Sequence, residues 1–160
     1  MPSAGRGRFR SPAVRHPDRR TASHMFRVHA SRPLAFGENP MAITGYHHVQ
    51  IAAPAGSEDS LRAFYTGVLG FAEIPKPEEL AKRGGAWFRG PGLELHVGID
   101  PEFRAPKKAH PAFLVDDLDA LAAELRAAGH EVTPDGLFPG YRRFYATDPA
   151  GNRLEFLQPA

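Results

Sequence analysis

The sequence contains no cysteine, which excludes disulfide bonds, thiolate nucleophiles and metals held by sulfur. It also lacks any apolar run of about eighteen residues, so it predicts neither a transmembrane helix nor a membrane partner, and we expect a cytoplasmic protein. A bound metal would need nitrogen and oxygen ligands, which eight histidines and eighteen acidic residues could supply. The length of 160 residues suffices for one domain, or for two very small ones that share a core.

The basic charge of the chain is concentrated at its amino end. Residues 1–41 carry eight arginines against Asp18 and Glu38, a net charge of +6, whereas residues 42–160 carry twelve basic and sixteen acidic residues, a net charge of −4. The leader 1–41 has no helical or alternating apolar spacing, so we expect it to be disordered. Its composition fits a transit peptide or a nucleic-acid-binding arm. The alternative is that translation begins at Met41 and that the leader is upstream sequence outside the native protein. For the acidic remainder we expect no nucleic-acid partner.

Residues 42–160 contain an internal repeat in which a strand, a helix and three strands follow one another twice. The segments SEDSLRAFYTGVLG and DDLDALAAELRAAG have the apolar spacing of amphipathic helices that end at Gly70 and Gly129. His48 and His110 are 62 residues apart, a nearly constant offset for the whole repeat. The repeat predicts an α+β fold of two tandem βαβββ modules, 44–100 and 109–159 with a linker over 101–108, that form a cup-shaped curved mixed sheet with the helices outside.

Alternation along the first strand, GYHHVQIAAP, predicts which side chains face the cup. The apolar Val49 and Ile51 are expected to pack against the helix. This places His48 and Gln50 in the cup and leaves His47 on the helix-facing or surface side.

The same alternation selects polar residues on three other strands. In GLELHVGI it directs Glu94 and His96 into the cup, in NRLEFLQ it directs Glu155 there, and in HPAFLVD it favours His110. Side chains at positions i and i+2 of a strand start about 6.6 Å apart, so Glu94 and His96 compete for one small ion. Repeat symmetry pairs Glu94 with Glu155, which favours Glu94 as the ligand and His96 as a base that faces the substrate.

If the first and last strands of each repeat lie side by side, four side chains converge: His48, Glu94, His110 and Glu155. Two imidazoles and two carboxylates suit Zn, Ni, Fe(II), Mn or Co and leave positions open for a substrate. The alternative is that each histidine is an ordinary hydrogen-bonded residue at a strand start, and that Glu155 pairs with Arg143 or Arg153.

The segment FPGYRRFYATDP suggests where a substrate is held. Tyr141, Arg142 and Arg143 would present an aromatic and a cationic rim to an anionic or aromatic ligand. Equally, two arginines on an edge strand can serve only to keep that edge from pairing.

Five stretches within residues 44–159 carry a family resemblance: GYHHVQIA, LRAFYTGVLGF, LELHVG, AHPAFLVDDLDALAAEL and DPAGNRLEFLQP. They resemble the vicinal oxygen chelate superfamily, which contains glyoxalase I, extradiol dioxygenases, fosfomycin-resistance transferases and bleomycin-resistance proteins. The resemblance implies a divalent metal held by His48, His110 and Glu155, with a variable fourth position at Glu94 or His96.

The resemblance also implies a small-molecule substrate with vicinal oxygens and a homodimer, because the family builds complete cups from paired modules. On this view Glu155 and His96 are the catalytic residues, and Gln50, Tyr141 and Arg143 contact the substrate. The reaction stays open, since members isomerise, cleave rings, epimerise or transfer thiols. The alternative is a metal-free protein of the bleomycin-resistance kind that sequesters its ligand.

Overall fold

The computed structural model describes residues 43–160, so every expectation for the leader lies outside the described residues. These residues form two open four-stranded sheets, ordered β1-β4-β3-β2 and β5-β8-β7-β6. The strands are β1 (Val49–Ala53), β2 (Ala72–Ile74), β3 (Ala86–Gly90), β4 (Leu93–Ile99), β5 (Ala112–Leu114), β6 (Thr133–Asp135), β7 (Tyr141–Thr147) and β8 (Arg153–Pro159). The helices are α1 (Glu58–Arg62), α2 (Glu78–Ala81) and α3 (Leu118–Ala127).

Each sheet places the first strand of its module beside the last one. β1 runs parallel to β4 and β5 runs parallel to β8, while the remaining pairs are antiparallel. The predicted α+β fold of two tandem βαβββ modules is confirmed. No helix within residues 43–160 has the length and apolar character needed to cross a membrane.

Three local features differ from the expectation. The first helix is not regular: α1 continues as a wider π-helical turn over Ala63–Val68, in which the Leu69 N–H donates to the Phe64 carbonyl. The single turn of α2 was not expected, because four residues are too few to show a helical period. β1 begins at Val49, so His47 and His48 precede the strand rather than open it.

The core lies on the helix-facing side of both sheets and is continuous between the modules. Leu95 and Val97 of β4 and Leu154 and Phe156 of β8 are almost fully buried, as alternation requires. Across the modules, the rings of Phe71 and Phe113 lie 5.9 Å apart. A core shared in this way leaves the opposite, polar face of each sheet open.

A buried polar cluster fastens the two modules to each other. The Asp148 carboxylate accepts hydrogen bonds from the Tyr65 hydroxyl at 3.0 Å, from the Asn152 side-chain amide at 2.9 Å, and from the N–H groups of Ala150 and Asn152. The Asn152 amide also donates to the Ala52 carbonyl of β1 at 2.9 Å. We call Tyr65, Asp148 and Asn152 the module clamp; all three are at most 3% exposed.

A second carboxylate, that of Glu58, fixes the loop between α2 and β3. It accepts from the N–H of Gly85 at 3.2 Å and from the N–H of Gly56 at 3.0 Å. Gly85 has φ +77°, and a Cβ there would lie 2.1 Å from the Val97 carbonyl oxygen, so only glycine lets the loop approach β4 this closely. N–H donors, from Glu58 itself and from Gly85 and Gly56, hold the Glu58 pKa below its usual value.

Replacing Glu58 by glutamine is expected to lower the free energy of unfolding by about 1 kcal/mol at neutral pH. Since the folded-state pKa of Glu58 is lowered, its contribution is fully present above the ordinary value of 4.5 and is lost as the pH falls through the folded value. Urea unfolding from pH 7 to pH 3 should therefore show the difference between wild type and Glu58→Gln shrinking below pH 4.5. Glu79→Gln, which removes an exposed partner of Lys82, should stay within about 0.5 kcal/mol throughout.

Candidate functional site

Three rings stand in a row across the open face of the first sheet. The His48 and His96 ring centroids are 4.0 Å apart with planes inclined by 18°, and those of His96 and Trp87 are 4.0 Å apart at 5°. The register explains the Trp87 end of the row, because Trp87 of β3 is the direct neighbour of His96 on β4, while His48 lies just before β1, whose Gln50 is the other neighbour of His96. His96 is therefore enclosed on both faces and is only 4% exposed.

Glu94 lies beside this row and is held from two sides. Its Oε2 is 3.3 Å from His96 Nε2, and its Oε1 accepts from Arg89 Nη2 at 2.6 Å. The hydrogen bonds from Arg89 and then from His96 lower the pKa of Glu94, whereas burial lowers the pKa of His96. A neutral His96 ring next to a carboxylate donates its Nε2 proton, so His96 positions the Glu94 carboxylate.

His47 and His48 form a contacting pair just before β1. Their Nδ1 atoms are 3.0 Å apart and their rings meet edge to face. Both are exposed, so the first sheet presents His48 at the rim of the row.

The second sheet carries the other predicted ligands on its own open face. His110 Nε2 is 2.8 Å from Glu155 Oε2, and His110 Nδ1 contacts the Lys108 carbonyl. A ring that donates from Nδ1 directs the lone pair of Nε2 at Glu155, and two such acceptors need a proton or a cation between them. His110 and Glu155 are thus a nitrogen and an oxygen in the arrangement that a metal ion bridges.

Arg143 holds the other carboxylate oxygen of Glu155. Its Nη1 donates to Glu155 Oε1 at 2.7 Å and its Nη2 donates to Asp135 at 2.9 Å. Burial raises the pKa of Glu155, but the hydrogen bonds from His110 and Arg143 outweigh it, so the pKa is lowered overall. Glu155 is thus held as a carboxylate, and the pairing of Glu155 with Arg143 that the alternative interpretation expected is present.

The remaining predicted substrate residues lie at different places. Gln50 borders the ring row, and Tyr141 stacks on Phe138 with ring centroids 5.1 Å apart at the rim of the second sheet. Arg142 faces the other way and pairs with Asp119 of α3 at 2.6 Å.

The structure keeps the four predicted ligands in two groups. His48 and Glu94 belong to the first module, with His48 just before β1, and His110 and Glu155 belong to the second, with His110 just before β5. Among the described residues, no three His, Asp or Glu side chains are grouped so that they could hold a metal ion. Each module therefore presents half of the predicted four-ligand set, and we call these halves the first and the second half-site.

Sequence patterns did not indicate two residues of the candidate site, Trp87 and Arg89. Trp87 carries no charge and lies in a short strand, and Arg89 looks like an ordinary solvated cation; only the pairing of β3 with β4 puts them beside His96 and Glu94. A signal existed for Arg143, since sequence reasoning named it as a partner of Glu155.

Comparison with known proteins identifies the family that this architecture matches. The model of the Glyoxalase/Bleomycin resistance protein/Dioxygenase superfamily matches residues 45–156. A glyoxalase family protein of known structure from Bacillus anthracis is 49% identical with a TM-score of 0.72, and the match covers 74% of this chain and 98% of that one.

Two more distant proteins extend the comparison. "Glyoxylase I 4" from Arabidopsis thaliana is 32% identical over 99 residues, 57% of this chain, and this chain spans about half, 55%, of its length. The fosfomycin resistance protein FosX from Listeria monocytogenes has a TM-score of 0.62 at 18% identity, over 74% of this chain and 96% of that one. At that identity the likeness concerns the fold alone.

Proposed function

The chain belongs to the Glyoxalase/Bleomycin resistance protein/Dioxygenase superfamily, and we propose that it is a metal-dependent enzyme acting on a small substrate with two neighbouring oxygen atoms. The observation that carries the proposal is the pair His110 and Glu155, in which a ring nitrogen and a carboxylate oxygen lie 2.8 Å apart at the open face of the second sheet. His48 and Glu94 offer the same two atom types on the other sheet. The donor set suits a divalent ion such as Zn, Ni, Fe(II), Mn or Co.

The ligands would be His48, Glu94, His110 and Glu155, and the ion that they hold would act as a Lewis acid on the two substrate oxygens. The chain itself orients these ligands. His96 and Arg89 hold the Glu94 carboxylate, and Arg143 holds that of Glu155, so that neither must reorganise when the substrate arrives.

Two groups are candidates for moving a proton. His96, which burial keeps neutral, could take up a proton at Nδ1, since its Nε2 is directed at Glu94, and Glu155 is the second candidate because its carboxylate stays ionised. Gln50 and Tyr141, at the borders of the two half-sites, are proposed to contact the substrate.

The separation of the half-sites supports a homodimer as the working form. Each half-site has only two donors of the predicted set, so a four-ligand site needs two half-sites that face each other. If the first half-site of one copy meets the second half-site of its partner, a two-fold dimer contains two equivalent complete sites. β1 and β5 are the edge strands of their sheets, and Leu114 on β5 is 72% exposed, as an uncovered contact surface would be.

The test uses His48→Ala and Glu155→Ala, each of which removes one ligand from one half-site. Wild type is expected to retain about one divalent ion per site after dialysis, and each variant is expected to lose it. The measurement is elemental analysis of protein purified with and without air. Fe(II) would indicate oxygen chemistry, and Ni or Zn an isomerase-type reaction.

Mixed dimers test where the site is assembled. When one chain carries His48→Ala and the other Glu155→Ala, one shared site has both defects and the other has none, so about half of the wild-type metal should return. Dimers that carry two different tags are isolated and their metal is counted. Full metal binding by both single variants would exclude these ligands, and mixed dimers without metal would exclude the shared site.

A metal-free binding protein is the second candidate function. It is favoured by the ring row of His48, His96 and Trp87, whose outermost rings could stack on an aromatic ligand without a metal. Protein that stays metal-free after titration with Zn, Ni, Mn and Fe(II), and yet binds an aromatic ligand on Trp87, would select this alternative.

A further inference from the structure

A small cationic cavity lies beside the ring row of the first sheet and shares Trp87 with it. It has a volume of about 270 Å³ and lies between the α2–β3 loop and the open face of the first sheet. Its wall is formed by Gln50, Lys76, Leu80, Arg83, Gly84, Trp87, Val97, Gly98 and Ile99. The wall therefore holds two cations, an amide and an indole, and no carboxylate.

The loop holds one of these cations, Lys76, in place. Gly84 and Gly85 both have positive φ, and the closeness of Gly85 to the Val97 carbonyl presses the loop onto β4. The Lys76 ammonium donates to the Gly84 carbonyl, and it lies 6.0 Å from the centroid of the Trp87 ring. Lys76 thus ends the row of rings on the side opposite to His48.

Lys76 and Arg83 differ from two other cations of the open faces, which are paired with carboxylates. Arg89 is bound to Glu94, and Arg143 is bound to Asp135 and Glu155. Within residues 43–160 no carboxylate lies within 4.0 Å of Arg83. Burial and the neighbouring Arg83 lower the pKa of Lys76 against the opposing charge of Glu58, so an added anion would stabilise its charged form.

We propose that Arg83 and Lys76 bind an anionic group of the substrate, a carboxylate or a phosphate. The inference rests on the proposed function and narrows its substrate class. Gln50, which lines the cavity, is two residues along the chain from His48, so the cavity adjoins the first half-site. The substrate is then a small acid that carries its anionic group apart from its chelating oxygens and whose body packs against Trp87.

Trp87 is the single tryptophan of the chain, so its fluorescence reports on this cavity without any metal. Phenyl phosphate and phenylacetate are titrated into the metal-free full-length protein. Both are expected to give a saturable change, and the tighter one identifies the preferred anion. Arg83→Gln should raise the Kd at least about tenfold, the effect of one charge-assisted hydrogen bond.

Lys82→Gln is the matched control, since it removes a neighbouring cation that is exposed and pairs with Glu79. It should leave the Kd unchanged, and neutral benzyl alcohol should bind at least about tenfold more weakly than the anions. The proposal is overturned if benzyl alcohol binds as well as the anions, or if Arg83→Gln binds them like wild type.

A second arm separates this inference from the proposed function. Metal-loaded protein is titrated with 3,4-dihydroxyphenylacetate and with 4-methylcatechol, which share the vicinal oxygens and differ in the carboxylate. Preference for the first in wild type, reduced at least about tenfold in Arg83→Gln, supports the anion site. Equal affinities of the two catechols would overturn it while metal binding still stands. Anion binding in the metal-free protein together with no metal uptake would overturn the proposed function alone.

Discussion

Replacing Asp148 by alanine is expected to lower the free energy of unfolding by about 3–5 kcal/mol, a large part of the total stability of an ordinary domain. The carboxylate accepts four hydrogen bonds in a site where Asp148 is 3% exposed. Without it, the Tyr65 hydroxyl, the Asn152 amide and two backbone N–H groups remain buried, and each unpaired donor costs about 1–3 kcal/mol. Urea unfolding followed by circular dichroism measures the loss.

Two further variants keep this prediction decisive if Asp148→Ala does not fold. Tyr65→Phe removes only one donor of the module clamp and should cost about 1 kcal/mol. Asp116→Ala, which truncates an exposed aspartate outside the clamp, should stay within about 0.5 kcal/mol. A Tyr65→Phe protein with wild-type stability would show that the contact between Tyr65 and Asp148 contributes nothing.

The fold was predictable because its signals are local and repeated. α3 lies where the apolar spacing of DDLDALAAELRAAG places it, and the Asp117 side chain caps it by accepting from the Ala120 N–H. Alternation also assigned the faces of β4 and β8, since one side of β4 is wholly apolar and Leu154 and Phe156 mark the core side of β8. The π-helical turn and α2 were not predicted, because both are too short to show a helical period in the sequence.

The candidate site was predictable only within each sheet. Alternation gives the face of a residue, and it placed His110 and Glu155 on one face; their Nε2 and Oε2 atoms lie 2.8 Å apart. It does not give the distance between two sheets, which depends on how the core joins them. That core joins the modules through Phe71 and Phe113, on the side away from the ligands, and the half-sites therefore stay separate within one chain.

The register between strands determines which side chains are neighbours, and no single sequence segment shows this. Trp87 and His96 are nine residues apart in sequence but direct neighbours on β3 and β4, and this pairing encloses the imidazole. Glu94 and His96 lie on either side of Leu95 in β4. The enclosure explains why His96 stays neutral, whereas Glu94 is bound by Arg89 and stays charged. Their different electrostatic environments thus favour the charged Glu94 over the neutral His96 as the predicted metal ligand.

Glu94→Ala is expected to lower the metal affinity by more than about 100-fold, because it removes a charged ligand. His96→Ala is expected to lower it by only about tenfold, the effect typical of a residue that orients a ligand. The reason is geometric: the His96 Nε2 proton is directed at Glu94, so Nε2 has no lone pair free for the ion. Competition with a colorimetric zinc chelator measures both affinities.

The conservative variant His96→Gln separates orientation from mere packing. Glutamine retains a side-chain N–H that can donate to Glu94, so it should recover most of the affinity that His96→Ala loses, although it cannot stack as an imidazole does. Glu124→Ala, on the exposed side of α3, is the control and should bind zinc like wild type. A larger loss in His96→Ala than in Glu94→Ala would make His96 the ligand and Glu94 its partner, since a carboxylate that only orients a histidine can be removed at lower cost than the ligand itself.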